Sequence, residues 1–272
     1  MLSLEDYDYH LPKERIPTVP ATPRDSAKLF VYNTRTNDIT LSTFRHLGTF
    51  LPPHTLLVMN DTKVLPARLY LKKETGGKIE VLLSLNELCP GDTTIRGIVD
   101  RKLLVGARLF FKRRAWLDVV GQEGRSFIFK PSVSIAELPS LLQKEGHTPL
   151  PPYIKNSPLS ERALRHRYQS ILAKAGTSVA APTASLHFTT RVLKDLALRG
   201  VKRTDVTLHV GAGTFASINE ENFKTQTLFT EYCEISKASA RTINTALTHE
   251  RPIIPVGTTA LRTIESFAHL HA

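Results

Sequence analysis

The apolar and polar positions divide the chain into three blocks. In the first, Leu29-Phe30-Val31-Tyr32 predicts a strand and Thr36-Asn37-Asp38 a turn after it. Leu56-Leu57-Val58-Met59 is a continuous apolar run of buried-strand length. It stops at Asn60-Asp61, which predicts polar side chains exposed at a sheet edge, where sites in α/β proteins gather.

The second block, about 67–150, has a period of two. Alternation runs through 68–71, 79–83, 108–111, 117–120 and 126–129. Turn signals separate these runs: Gly76-Gly77, Pro90-Gly91-Asp92 and Gly121-Gln122-Glu123-Gly124. Short strands at this spacing predict a small antiparallel barrel or sandwich. A helix over 135–145, stopped by Gly146, closes the block.

The third block alternates helix and strand. Residues 160–175 predict a helix, with Ser160 as N-cap and Gly176 as stop. Residues 190–199 predict another, ended by Gly200, and 237–248 a third. A strand over 205–210 runs into Gly211-Ala212-Gly213; one over 252–256 runs into Gly257-Thr258-Thr259, with a helix from about Ala260. This rhythm predicts a sheet with helices packed on it.

Composition changes the picture little. At 41% hydrophobic and 22% charged, the 272 residues are those of an ordinary globular protein. No apolar run approaches the length of a membrane span. Glu5, Asp6 and Asp8 stand where a secretory signal would be basic and then apolar. Cys89 and Cys233 are too few for a disulfide scaffold and predict reduced thiols in a cytosolic protein.

Charge changes it more. The net charge is +11, being zero over 1–66, +5 over 67–150 and +6 over 151–272. A basic folded surface suits a polyanion such as nucleic acid, and serves solubility equally well. Three loops could hold a ligand. In 207–215, Gly211 and Gly213 allow close approach and anion binding by backbone N–H groups, although a tight turn is the simpler reading. Residues 255–262 open a helix, whose N-terminus favours carboxylates and phosphates; an ordinary cap also explains them. The small-residue run 178–189 carries His187, and Pro152-Tyr153 offers a ring for base stacking or for core packing.

In order and spacing, seven segments resemble the S-adenosylmethionine:tRNA ribosyltransferase-isomerase family of queuosine biosynthesis. They are 60–68 (Asn-Asp-Thr-Lys-Val-Leu-Pro-Ala-Arg), 76–83, 149–154, Arg167-Tyr168-Gln169, 178–189, 207–215 and 256–265. The resemblance implies a mixed α/β main domain, residues 1–66 and 151–272, with an inserted antiparallel β-barrel domain over 67–150. It implies transfer and isomerisation of the ribosyl part of S-adenosylmethionine onto 7-aminomethyl-7-deazaguanine at the tRNA wobble position. Epoxyqueuosine forms, and adenine and methionine leave. S-adenosylmethionine is then a consumed donor. No cofactor, metal or membrane is expected, and the enzyme would be a cytoplasmic monomer.

The chemistry needs a base for the acidified ribose C5′ proton and an acid for the departing adenine, and histidine suits both. The resemblance supplies the positions of His187 and His209, whose side chains suit these catalytic roles, and of Asp61, Glu231 and Glu265 as candidates to orient a histidine or hold ribose hydroxyls. It assigns substrate binding to Arg68, Tyr153, Arg167, Tyr168, Gln169, Pro182 and Thr183. Gly211, Gly213, Thr214, Thr258, Thr259, Arg262 and Glu265 complete that set.

The chain also departs from the family pattern. Residues 225–232 lack the two histidines usual before Glu231, Ser185 replaces a glycine, and Lys63 replaces an arginine. The chain ends at Ala272, before further family segments, so the main domain is expected to be C-terminally incomplete. A catalytically impaired, tRNA-binding remnant is the alternative function. A metal hydrolase built on scattered histidines is more remote, because no ligand spacing supports it.

Overall fold

In the computed structural model, the described residues are 5–89, 91–112, 114–174, 176–215, 220–225 and 227–270. The expected turn residue Pro90, the expected helix end Ala175 and the C-terminal His271 and Ala272 lie outside them.

Strands β1 (Lys28–Asn33) and β2 (Asp38–Thr43) form a hairpin, with Asn37 at φ 60° in its turn. Asn tolerates this left-handed conformation because its short amide bonds locally. Strand β3 (Leu56–Asn60) is buried at every residue. The chain then enters a closed barrel of β4 (Arg68–Lys73), β5 (Lys78–Leu83), β6 (Ile95–Val99), β7 (Arg108–Phe110), β8 (Trp116–Glu123) and β9 (Ser126–Pro131). Its order is β4-β5-β6-β9-β8-β7, every pair antiparallel.

Closure settles barrel over sandwich. Alternate residues such as Leu69, Leu71, Val81, Leu109, Leu117 and Phe129 fill the interior. Strand β6 was not expected, since Arg96-Gly97 breaks its apolar pattern. The turn expected over 121–124 falls at Gly124-Arg125, and Gly121 marks a register shift in β8 instead.

Helix α1 (Leu138–Glu145) buries Leu138 and Leu142 in the same core and starts three residues later than its pattern predicts. Gly146 stops it for an unexpected reason. Its φ is −77°, open to any residue. A Cβ there would collide with the Pro66 carbonyl oxygen and would lie 2.6 Å from that of Leu142. Glycine is needed because the chain leaving the barrel crosses the chain entering it. Beside this crossing, Arg68 and His147 exchange backbone hydrogen bonds of 3.3 and 2.7 Å.

Helix α2 (Glu161–Arg167) has the expected cap, the Ser160 hydroxyl accepting the Ala163 N–H at 3.3 Å. It ends at Arg167, well before 175, because the next two side chains have tertiary partners. Tyr168 is buried against Val64 and Ala181. The Gln169 amide donates to the Val64 carbonyl at 2.6 Å and accepts its N–H at 3.1 Å, as a neighbouring strand would.

The rest comprises α3 (Thr190–Leu198), β10 (Lys202–Leu208), α4 (Glu220–Thr225), β11 (Cys233–Glu234), α5 (Lys237–Thr248), β12 (Ile253–Val256) and α6 (Thr258–Leu270). The sheet order is β11-β10-β3-β12; β10 and β12 run parallel to β3, and β11 is antiparallel to β10. Leu57 and Met59 face Phe188, Val192 and Leu196 on one side. Leu56 and Val58 face Ile243, Ala246 and Ala260 on the other. Burial on both faces explains the unbroken apolar run of β3.

Asn60 overturns the expectation of an exposed polar edge, for it is wholly buried. Its Oδ1 accepts the N–H groups of Leu208 (3.2 Å) and Thr62 (3.0 Å), and its Nδ2 donates to the Leu208 carbonyl at 3.0 Å. The side chain replaces a peptide group where β3 and β10 part. Two residues anchor the segment before β1. Arg24 donates to the carbonyls of Gln169, His166 and Leu186. Burial pushes the Asp25 carboxyl up, but hydrogen bonds from Arg191 and Thr189 outweigh it and hold it below the usual carboxylate range. No helix among the described residues is long and apolar enough to cross a membrane.

Candidate functional site

A cavity of about 720 Å³ opens beyond the C-terminal ends of β10 and β12, where parallel sheets place their ligands. Separated stretches wall it: Pro151 to Tyr153, Tyr168, Ala180 to Ala184, Val210 with Thr214 and Phe215, Leu228 with Glu231, and Val256 to Arg262. Small side chains at 180–184 create the space. Gly257, at φ 86°, makes the turn into α6; a Cβ there would meet that of Ala184 at 3.0 Å. Thr258 and Thr259 then place the first turn of α6, with its unpaired N–H groups, on the cavity wall.

The charged centre is Glu231 with Arg262. Oε2 of Glu231 accepts from Nη1 of Arg262, and Oε1 accepts the Gly211 N–H at 2.8 Å. Arg262 Nη2 also donates to the Phe229 carbonyl at 2.7 Å. The Glu231 side chain is 9% exposed, so its charge depends on these donors. The Thr259 hydroxyl is buried, with no hydrogen-bond partner among the described residues. Tyr168 lines the cavity, and burial raises its phenol to about 12, so it stays protonated.

Of the expected site residues, this cavity gathers Tyr153, Tyr168, Pro182, Thr183, Thr214, Glu231, Thr258, Thr259 and Arg262. Gly211 stands behind Glu231. Gly213 lies against Phe229, toward the barrel. Glu265 is exposed on α6, outside the cavity wall. Arg68 is built into the barrel junction, 3.1 Å from Glu80 and donating to the Leu150 carbonyl at 2.9 Å. Gln169 is occupied by Val64, and Arg167 donates to Thr22 at 2.8 Å beside a second cavity.

Neither histidine lines the first cavity. His187 faces the second one, its ring 5.4 Å from that of Phe44. His209, within the 207–215 segment, is stacked on Tyr232 with ring centroids 5.8 Å apart. Its Nδ1 is 3.0 Å from the Thr62 hydroxyl, which is 2.7 Å from that of Ser178. Ser178 accepts the Val210 N–H at 2.8 Å. All these groups are satisfied when Ser178 donates to Thr62 and Thr62 to a neutral His209. Asp61 accepts from the Thr207 hydroxyl at 2.7 Å and pairs with Lys174 at 3.2 Å.

Burial pushes both imidazoles below their usual range, in His209 against the opposing pull of Asp61 and Glu234. Both are expected neutral at pH 7 in a proton-coupled NMR titration. The unfolded chain takes up protons on these rings first, so stability is expected to fall as pH drops below about 6.5. A flat stability profile from pH 7 down to about 5.5 would contradict this.

The sequence reading did not single out Leu228, Phe215 or Leu261, which complete the apolar wall. Phe215 and Leu261 lie inside segments that it had marked; Leu228 carries no local signal. Lys174, bridging Asp61 and Asp205 at 3.2 and 2.9 Å, was also missed.

A sequence model of the queuosine biosynthesis protein family matches residues 4–272. A relative from Helicobacter acinonychis (strain Sheeba) is 40% identical, the match covering 98% of this chain and 77% of the relative. One from Carboxydothermus hydrogenoformans is 38% identical over 98% of this chain and 78% of its own length. Both are named S-adenosylmethionine:tRNA ribosyltransferase-isomerase. A crystal structure of S-adenosylmethionine tRNA ribosyltransferase from Thermotoga maritima aligns with 25% identity and a TM-score of 0.46, covering 98% of this chain and 74% of that one.

Proposed function

Because this chain belongs to the queuosine biosynthesis family, we propose that it transfers and isomerises the ribosyl group of S-adenosylmethionine onto a tRNA base. What carries this reading is the coincidence of family and cavity. The match spans 4–272, and the cavity is built from stretches separated along that span, from Pro151 to Arg262. The acceptor is 7-aminomethyl-7-deazaguanine at the wobble position, and the product is epoxyqueuosine with adenine and methionine released. S-adenosylmethionine is consumed as the donor, and the enzyme works as a cytoplasmic monomer.

In this reading the donor lies in the first cavity. Arg262 and the first turn of α6 take the methionine carboxylate, the fork of Arg262 matching it in plane. Glu231 accepts the ribose hydroxyls, with Thr183, Thr214 and Thr259 as further hydroxyl partners. Tyr153 lies along the adenine ring. The aminomethyl nitrogen must attack as a neutral amine, and a neutral His187 can remove its proton. His209, through Tyr232 and the Thr62–Ser178 hydroxyls, is a positioning residue for the loop that holds Gly211 against Glu231. Asp61 secures the same loop through Thr207.

The test incubates the chain with S-adenosylmethionine and tRNA carrying the aminomethyl base. Adenine is expected to appear in step with ribosyl incorporation. RNA affinity should fall steeply with salt, because phosphates neutralised by Lys and Arg release counterions. RNA binding without adenine release would instead fit the impaired remnant.

A further inference from the structure

A second cavity, of about 740 Å³, adjoins the first; Pro151, Tyr153, Tyr168 and Thr183 belong to both walls. Its lining is apolar at Leu150, Leu159, Leu164 and Leu186, and aromatic at Tyr153 and His187. Arg15, Lys28 and Arg167 stand around it, against a single carboxylate, Glu14. Among the described residues, none of these three cations is ion-paired with a carboxylate. Arg24 nearby is committed to backbone carbonyls. Unpaired cations round an apolar, aromatic slot suit a flat base with its phosphates.

Lys28 also opens the hairpin ribbon. By strand alternation, Phe30 and Tyr32 share its face, and the register sets Leu41 and Ile39 directly opposite them. These four side chains are 62%, 50%, 78% and 60% exposed. The opposite face is satisfied, with Leu29 packed against the core. Four large apolar side chains gathered on one ribbon face mark an interaction surface. This one leads away from the cavity past a lysine.

We propose that the second cavity takes the acceptor base of the RNA, and that the Phe30–Tyr32–Ile39–Leu41 face stacks the unpaired bases beside it. Arg15, Lys28 and Arg167 hold the intervening phosphates. Base and donor then meet across the shared wall at Tyr153 and Thr183, as a group transfer between two bound molecules requires. The inference rests on the proposed function for the presence of an RNA acceptor, and goes beyond it in placing that acceptor. Charge decides for RNA over a protein partner: the cavity lining carries three cations against one carboxylate, and stacking serves any base sequence.

The test uses an RNA hairpin with an unpaired loop, a fully paired duplex of the same length, and S-adenosylmethionine alone. The exposed double variant Phe30→Ser/Tyr32→Ser is expected to bind the hairpin about 5- to 100-fold more weakly for each stacked base lost. Duplex binding and S-adenosylmethionine affinity should not change. Lys28→Ala and Arg167→Ala should each lower the salt slope of hairpin binding by about one. Unchanged hairpin affinity in the double variant overturns the proposal. So does self-association that the variant abolishes while RNA binding persists, since the face would then belong to a second copy. If the unaltered chain binds neither RNA nor S-adenosylmethionine, the functional reading itself falls.

Discussion

Glu231→Gln is expected to reduce adenine release by about 10²- to 10³-fold in kcat/KM while the protein stays folded. The substitution keeps the shape and removes the charge on which two donors converge, the Gly211 N–H and the Arg262 guanidinium. Hydrogen bonds to a charged group contribute about 1.5–3 kcal/mol each, so weakening two of them accounts for the expected range. Arg262→Lys should lose less than Arg262→Ala, because lysine keeps the charge and loses the planar fork. The pair acts as a unit, so the loss in the double variant Glu231→Gln/Arg262→Ala should be well below the product of the single losses. Additive losses would show two independent residues. A normal rate in Glu231→Gln would remove the cavity's charged centre from the reaction.

Gly146→Ala is expected to be the most damaging single-methyl change in the fold, lowering stability by about 3 kcal/mol or preventing folding. The added Cβ would occupy the place of the Pro66 carbonyl oxygen. The carbonyls that the Cβ would meet, of Pro66 and Leu142, are both backbone, so no side-chain rotation relieves the contact. Gly124→Ala, at φ 57° with nothing near its Cβ, is the control: it should cost about 1 kcal/mol from backbone strain alone. Thermal or denaturant unfolding of the two variants measures the difference. Equal, small losses would show that the strands entering and leaving the barrel can part without cost.

Much of the candidate cavity's wall was legible, because several family segments and the cavity lining coincide. Residues 180–184 of the small-residue run 178–189 and the turn at Gly257 both line the cavity. Arg68, Gln169, His187 and His209 were marked by the same reasoning, yet the structure places them outside the first cavity. A motif records that a residue matters to the fold or the site without saying which. Arg68 shows this: its partners Glu80 and Leu150 make it part of the barrel junction.

The sequence by itself determined what depends on neighbours along the chain. Period-two alternation defined most barrel strands, and helix α5 has the bounds its pattern predicts, 237–248. The cap at Ser160 likewise needs only a residue three positions on. Only the tertiary structure decided features whose partners are far away in sequence. Helix α2 stops at Arg167 because Gln169 bonds Val64, 105 residues earlier. Asn60 is buried because Leu208, 148 residues later, supplies two of its three backbone partners, one for each end of the amide. Glu231 meets Arg262 across 31 residues, in a cavity that no single segment contains. Local propensity is worth tenths of a kcal/mol per residue, whereas a buried polar group left unpaired costs about 1–3 kcal/mol. Where the two conflict, the distant partner sets the structure.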